Sequence, residues 1–155
     1  MSVVRLSLRE KLRTHDLVVV SILDAPRFQV LRTRVERIYS CRNGIALEHL
    51  ESEIEFLSAP STWGNEPLQV TERAMLFVRL DSDGFNEYVW RGHLVLAEFD
   101  GVQCATIPFP EVWMDEDLPL AVRTTARQHP TNNARSIVNL DALNAHLSEL
   151  LKAHE

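Results

Sequence analysis

Two cysteines, Cys41 and Cys104, are all that the 155 residues contain. That is too few for a disulfide framework or a cysteine-ligated zinc site. They read as two buried free thiols in a reducing cytoplasm, with a single bridge between them as the alternative. Glycine is also scarce: five residues, none beside another. No G-x-x-x-x-G-K-[ST], G-x-G-x-x-G or G-x-S-x-G pattern occurs, so phosphate-cradling loops and a nucleophile elbow are missing. No apolar run approaches the length of a membrane span, so no transmembrane helix is expected. The opening stretch MSVVRLSLREKLRTHD is broken by charge every few residues and does not resemble a secretory signal.

Positive charge is missing from the middle of the chain. Residues 1–47 hold nine Lys/Arg against four Asp/Glu, whereas residues 48–120 hold three arginines against fifteen Asp/Glu. Residues 121–155 hold four against three, and the whole chain carries a net charge of −6. Fifteen carboxylates repel phosphate, so a general nucleic-acid binder is not expected. The division favours a basic protein partner, or a homodimer in which the two oppositely charged regions pair between copies. The plainer alternative is a solubilising acidic surface.

What is present is the composition of an ordinary globular domain, with 45% hydrophobic and 25% charged residues. Ser7 and Glu10 have capping-box spacing, which predicts a short helix over about 7–14. "DLVVVSIL" (16–23) reads as a buried strand ending before Pro26, and 27–40 as a longer strand whose alternation slips between Val30 and Val35, the sign of a bulge. Residues 45–58 fit both helical and strand spacing and are assigned to strand. "LQVTERAMLFVRL" (68–80), "FNEYVWRGHLVLAEF" (85–99) and "VQCATIPF" (102–109) form an antiparallel meander, joined through Asp81-Ser82-Asp83-Gly84 and Asp100-Gly101. The stretch 108–135 contains four of the seven prolines and reads as an ordered surface arm. Asn139 caps a terminal amphipathic helix over 139–153, with Leu143, Leu147, Leu150 and Leu151 on one face.

The expected fold is therefore α+β. It is a single domain over 1–155 with a core sheet at about 16–107: a curled antiparallel sheet or small barrel of about six strands, flanked by a short N-terminal and a C-terminal helix.

The order of a short helix, "HDLVVVSIL", "RVERIYSC", "ERAMLFVRL" and "GHLVLAEFDG" resembles small OB-like antiparallel β-barrel domains over residues 14–107. The resemblance implies a curled sheet covered by helices, and it carries over no functional residue.

Candidate chemistry is thin. In "EYVWRGHLVL" (87–96), Tyr88, Trp90, Leu94 and Leu96 face one way and Arg91 and His93 the other. Gly92 there marks a bend, a bulge or a close backbone approach. Arg91 and His93, with Arg34 from the basic strand, form a candidate site for a small anionic ligand, and a ligand-binding barrel or modest enzyme with a pocket there is the alternative to a protein-binding role. His49 and Glu51 lack a third metal ligand, and the acids of "DSDGFNE" (81–87) lack the later acids of a calcium loop. Neither metal nor cofactor is expected.

The best candidate for recognition is "PEVWMDEDLPL" (110–120). Here Glu111, Trp113, Asp115, Glu116 and Asp117 set an aromatic anchor among carboxylates. Its simpler reading is an anchored arm with solvated acids. The sequence points away from catalysis, towards an acidic cytoplasmic protein-binding module such as an immunity protein or inhibitor of a basic toxin.

Overall fold

The computed structural model describes residues 8–58, 67–88, 92–108, 118–132 and 135–152. Within them lie α1 (Leu8–Thr14), β1 (Asp16–Arg27), β2 (Val30–Ile38), β3 (Glu53–Leu57), β4 (Arg73–Asp81), β5 (Gly84–Glu87), β6 (His93–Phe99) and β7 (Val102–Pro108). After these come α2 (Leu120–Arg123), β8 (Arg127–Gln128), β9 (Arg135–Asn139) and α3 (Leu140–Lys152). The sheet order is β1-β2-β3-β5-β4-β6-β7-β9-β8, and a second pairing of β1 with β4 closes the first five strands into a barrel. The fold is α+β, with the barrel and both flanking helices in place. Nine strands are described, not six, because β6, β7, β9 and β8 extend the barrel wall as an open sheet. One pairing departs from the antiparallel expectation: β3 and β5 run parallel, with Phe56 opposite Phe85 and Leu57 opposite Asn86.

β1 and β4 read as near-continuous apolar runs because each serves two cores. Val18, Val20 and Ile22 with Ala74, Leu76 and Val78 fill the barrel lumen, against Leu31, Val35, Ile54 and Phe56. Leu17, Val19, Met75 and Phe77 point the other way, into a layer closed by Leu8 and Leu12 of α1 and Leu143, Leu147 and Leu150 of α3. A strand buried on both faces gains the hydrophobic term on both, about 25 cal/mol per Å². The terminal helix is capped as its sequence predicts, the Ala142 amide donating to Asn139 Oδ1 at 3.1 Å. Ser7, the expected cap of α1, lies outside the described residues.

The start of β1 is tied down by a buried carboxylate. Asp16 is fully buried. It accepts the backbone amides of Arg42 (2.7 Å), Asn43 (2.9 Å) and Ile45 (3.0 Å), and the Ser40 hydroxyl (3.2 Å). Those bonds fold the β2–β3 connection back over the barrel, where Gly44 passes so close to Leu80 that a Cβ would overlap it.

Several element boundaries differ from the sequence reading. β1 continues through Pro26 to Arg27. Its pairing with β4 ends at Ser21, so the missing proline N–H costs no bond on that side. The β1–β2 register shifts within the expected stretch, between the pairs Ile22–Thr33, Asp24–Arg32 and Arg27–Val30, and again just beyond it, where Val20 pairs with Val35 and Val19 with Arg37, leaving Glu36 over. Residues 45–58 are neither wholly helix nor wholly strand, but a 3₁₀ turn at Leu47–His49 followed by β3. The described part of the 108–135 stretch holds α2 and β8, and β9 begins at its end. β8 is only two residues long, and in β9 the buried Ile137 and Val138 are adjacent, so neither strand shows an alternation. Of the two thiols, Cys104 is buried and Cys41 is exposed. Cys41 follows the end of β2, in the connection that wraps Asp16, so burial of both does not hold.

The expected strand 85–99 is split. Glu87 pairs with Val78 and His93 with Leu76, so six residues of one strand span two of its neighbour. The excursion is pinched at Phe77, whose carbonyl accepts the Tyr88 amide (2.9 Å) and whose amide donates to the Gly92 carbonyl (2.8 Å). Four extra residues are an even number, so the alternation keeps its phase across the break. Tyr88, Leu94 and Leu96 accordingly pack on the helix side, as the sequence pattern requires. Gly92 marks a close approach, since a Cβ there would overlap the Tyr88 carbonyl and the Glu87 side chain.

Candidate binding site

The outer wall of the barrel is a ladder of matched charges. Alternation on β2 sends Arg32 and Arg34 outward, and the β3 register sets Glu53 opposite Arg34 and Glu55 opposite Arg32. Arg32 donates to Asp24 on one side (2.5 Å) and is ion-paired with Glu53 on the other. Arg34 stands 3.8 Å from Glu53, Arg27 3.3 Å from Glu55, Arg73 3.0 Å from Glu36 and Arg79 2.9 Å from Asp81. The hydrogen bond from Arg32 holds the Asp24 carboxyl below its ordinary range. Burial works against the charge at Glu36, but the Ser21 hydroxyl and the Arg73 guanidinium together hold its pKa down. Three of these pairs join the basic first segment to the acidic middle, through Glu53 and Glu55.

Where the β1–β2 and β4–β5 hairpins approach each other, the ladder opens into a cleft. Its volume is about 260 Å³, and it is lined by Arg27, Val30, Glu55, Phe56, Leu57, Asp83, Gly84, Phe85 and Asn86. Phe56 and Phe85 are directly opposed across the short parallel seam, and Leu57 is 45% exposed. Phe28, in the β1–β2 turn, is 88% exposed. The acids of the β4–β5 turn are gathered by an amide: Asn86 Nδ2 donates to Asp81 Oδ2 (3.0 Å), Asp83 Oδ1 (3.2 Å) and the Gly84 carbonyl (3.2 Å). Among the described residues no three His, Cys, Asp or Glu side chains are placed to hold a metal ion.

The second polar cluster lies inside the wall. Glu87 and His93 both face the lumen side, opposite Val78 and Leu76, and His93 Nδ1 is 2.6 Å from Glu87 Oε2. Both side chains are buried, and Ser58 Oγ donates to Glu87 Oε1 at 3.2 Å. The order is hydroxyl, carboxylate, imidazole. The carboxylate sits in the middle, so in this arrangement the imidazole does not receive the serine proton, as nucleophile activation would require. On the helix side of the wall, Lys11 Nζ lies over the Phe77 ring (5.2 Å) and the Tyr88 ring (5.8 Å), and His15 meets Tyr88 edge-on at 4.8 Å.

Of the residues proposed from sequence for an anionic ligand, Arg34 is on the exposed outer face and His93 is buried toward the lumen, so the wall separates them. Arg91 lies outside the described residues, as do Glu111, Trp113, Asp115, Glu116 and Asp117. His49 is occupied locally, its Nδ1 accepting the Ala46 amide at 2.9 Å while its ring stands edge-on to Phe85. Sequence reasoning did not find the cleft. Its one legible signal was the Asp81–Gly84 turn; the approach of Arg27 and Glu55 to that turn depends on the barrel closing.

The fold defines the class: a closed five-strand barrel with a sheet extension and helices on one side. Comparison with protein-family models, with curated proteins and with solved structures finds no match. No described helix is long and apolar enough to cross a membrane.

Proposed function

We propose that the protein is a non-catalytic, acidic protein-binding module for a basic polypeptide, of the kind an immunity protein or inhibitor forms against a cationic toxin, acting in a reducing cytoplasm. The observation that carries this reading is the cleft. It lies between the β1–β2 and β4–β5 hairpins and is lined by residues of both. Its walls combine apolar surface at Val30, Leu57 and Phe85 with the carboxylates of Glu55 and Asp83. Arg27, Arg32, Arg34, Arg73 and Arg79 each stand beside a carboxylate, which favours a basic partner over nucleic acid. Glu111, Trp113, Asp115, Glu116 and Asp117 are proposed as partner contacts from the sequence alone. Free thiols at Cys41 and Cys104 support a reducing compartment.

The test is a titration of isotope-labelled protein with a synthetic Lys/Leu decapeptide, followed by backbone amide shifts. Shifts concentrated at Arg27–Val30, Glu55–Leu57 and Asp83–Asn86, absent with a Glu/Leu peptide of the same length, support the reading. Shifts scattered over the surface, or none, overturn it.

A further inference from the structure

A cationic partner entering this cleft would find a cation of the chain's own already there. We propose that Arg27 is a resident competitor, its guanidinium occupying the Glu55 carboxylate that a partner's lysine or arginine has to reach; this rests on the binding reading above. Arg27 Nη2 stands 3.3 Å from Glu55 Oε1, and both residues line the cleft. Arg32, by contrast, is gripped from two strands, by Asp24 and by Glu53. Among the described residues Arg27 has Glu55 alone as its ion partner. It sits at the last position of β1, beside the Phe28–Gln29 turn.

The Arg27 and Glu55 side chains are 69% and 45% exposed, so the pair is weak, salt-screened and free to exchange. Across the cleft, Asp83 is bonded to the Asn86 amide and to no described cation. The walls therefore offer two carboxylates and one guanidinium. Moving that guanidinium into solvent leaves both acids to an incoming basic side chain, and Arg27 loses no buried contact in moving. The partner's cation replaces the chain's own at Glu55. Affinity is then set by the difference between two cations rather than by the whole attraction of one. Chains of low positive charge are rejected because they cannot displace it.

Binding of a fluorescent Lys/Leu decapeptide, measured by anisotropy at about 50 mM salt, tests this in the intact chain. Arg27→Ala binds about two- to fivefold tighter than the parent, the range expected for release of one exposed ion pair. Glu55→Gln binds more weakly than the parent. In the double variant the gain from Arg27→Ala disappears, because the carboxylate it unmasks is gone. If the parent binds and Arg27→Ala is no tighter, or if the double variant keeps the full gain, the competitor is overturned while the binding reading stands. If no variant binds, both fall. Thermal melts of each variant confirm that the fold is intact.

Discussion

His15 shows how burial sets a residue's chemistry before any partner does. Its ring is 8% exposed, edge-on to Tyr88, with Nδ1 2.7 Å from Thr14 Oγ1. Desolvation first, and the Arg79 charge second, lower its pKa to about 4, with Asp81 partly opposing. The unfolded chain takes up this proton below about pH 6.5, which the folded protein refuses until about pH 4. The fold therefore loses stability as pH falls through that window, by about 3 kcal/mol at its lower end. His15→Gln removes this part of the slope in urea denaturation between pH 7 and pH 4. A variant as acid-sensitive as the parent would rule out His15 as the source. Residue chemistry was only partly legible in the sequence. His93 was visible as a strand residue, but its partner Glu87 became a neighbour only because β5 and β6 both pair with β4.

At the scale of elements, the interruption between β5 and β6 is the feature that propensity could not place. Residues 85–99 alternate well and contain no proline, so a single strand is the natural local reading. The structure breaks it at Phe77 because that residue's amide and carbonyl are taken by Gly92 and Tyr88, and Glu87 and His93 join across the neck. The requirement for glycine at 92 is steric, since Tyr88 and Glu87 leave no room for a Cβ. Gly92→Ala is expected to cost about 2 kcal/mol or more in chemical denaturation, as overpacking does. Gly101→Ala serves as the comparison. Gly101 has open space around it and only a positive φ of 77° to strain, a cost of roughly 1 kcal/mol. Equal costs at the two positions would mean that the neck is loosely packed.

For the whole molecule, the distribution of charge changed meaning once the chain folded. Along the sequence, a basic first third precedes a strongly acidic middle. In the barrel, Asp24, Glu36, Glu53, Glu55 and Asp81 meet Arg27, Arg32, Arg34, Arg73 and Arg79, five acids against five arginines. With matched guanidiniums and a net charge of −6, the protein is expected to bind a dT oligomer more weakly than about 10⁻⁴ M at physiological salt, the weak limit of non-specific association. Fluorescence polarisation checks this, and micromolar binding would redirect the cleft from polypeptide to single-stranded nucleic acid.

The sequence by itself determined the α+β class, the buried double-faced character of β1, the hairpins at Gly84 and Gly101, and the capped terminal helix. Each of these follows from local chemistry: β-branched runs, left-handed glycine turns, and an asparagine placed to accept a helix amide. Only the tertiary structure decided the parallel β3–β5 seam, the second pairing of β1 with β4, the neck at Phe77 and the cleft between two hairpins. Those features depend on which strands meet, and that is set by burying two faces of the same strands at once. Period-two alternation says which side of a strand is apolar, but it does not say what lies against it.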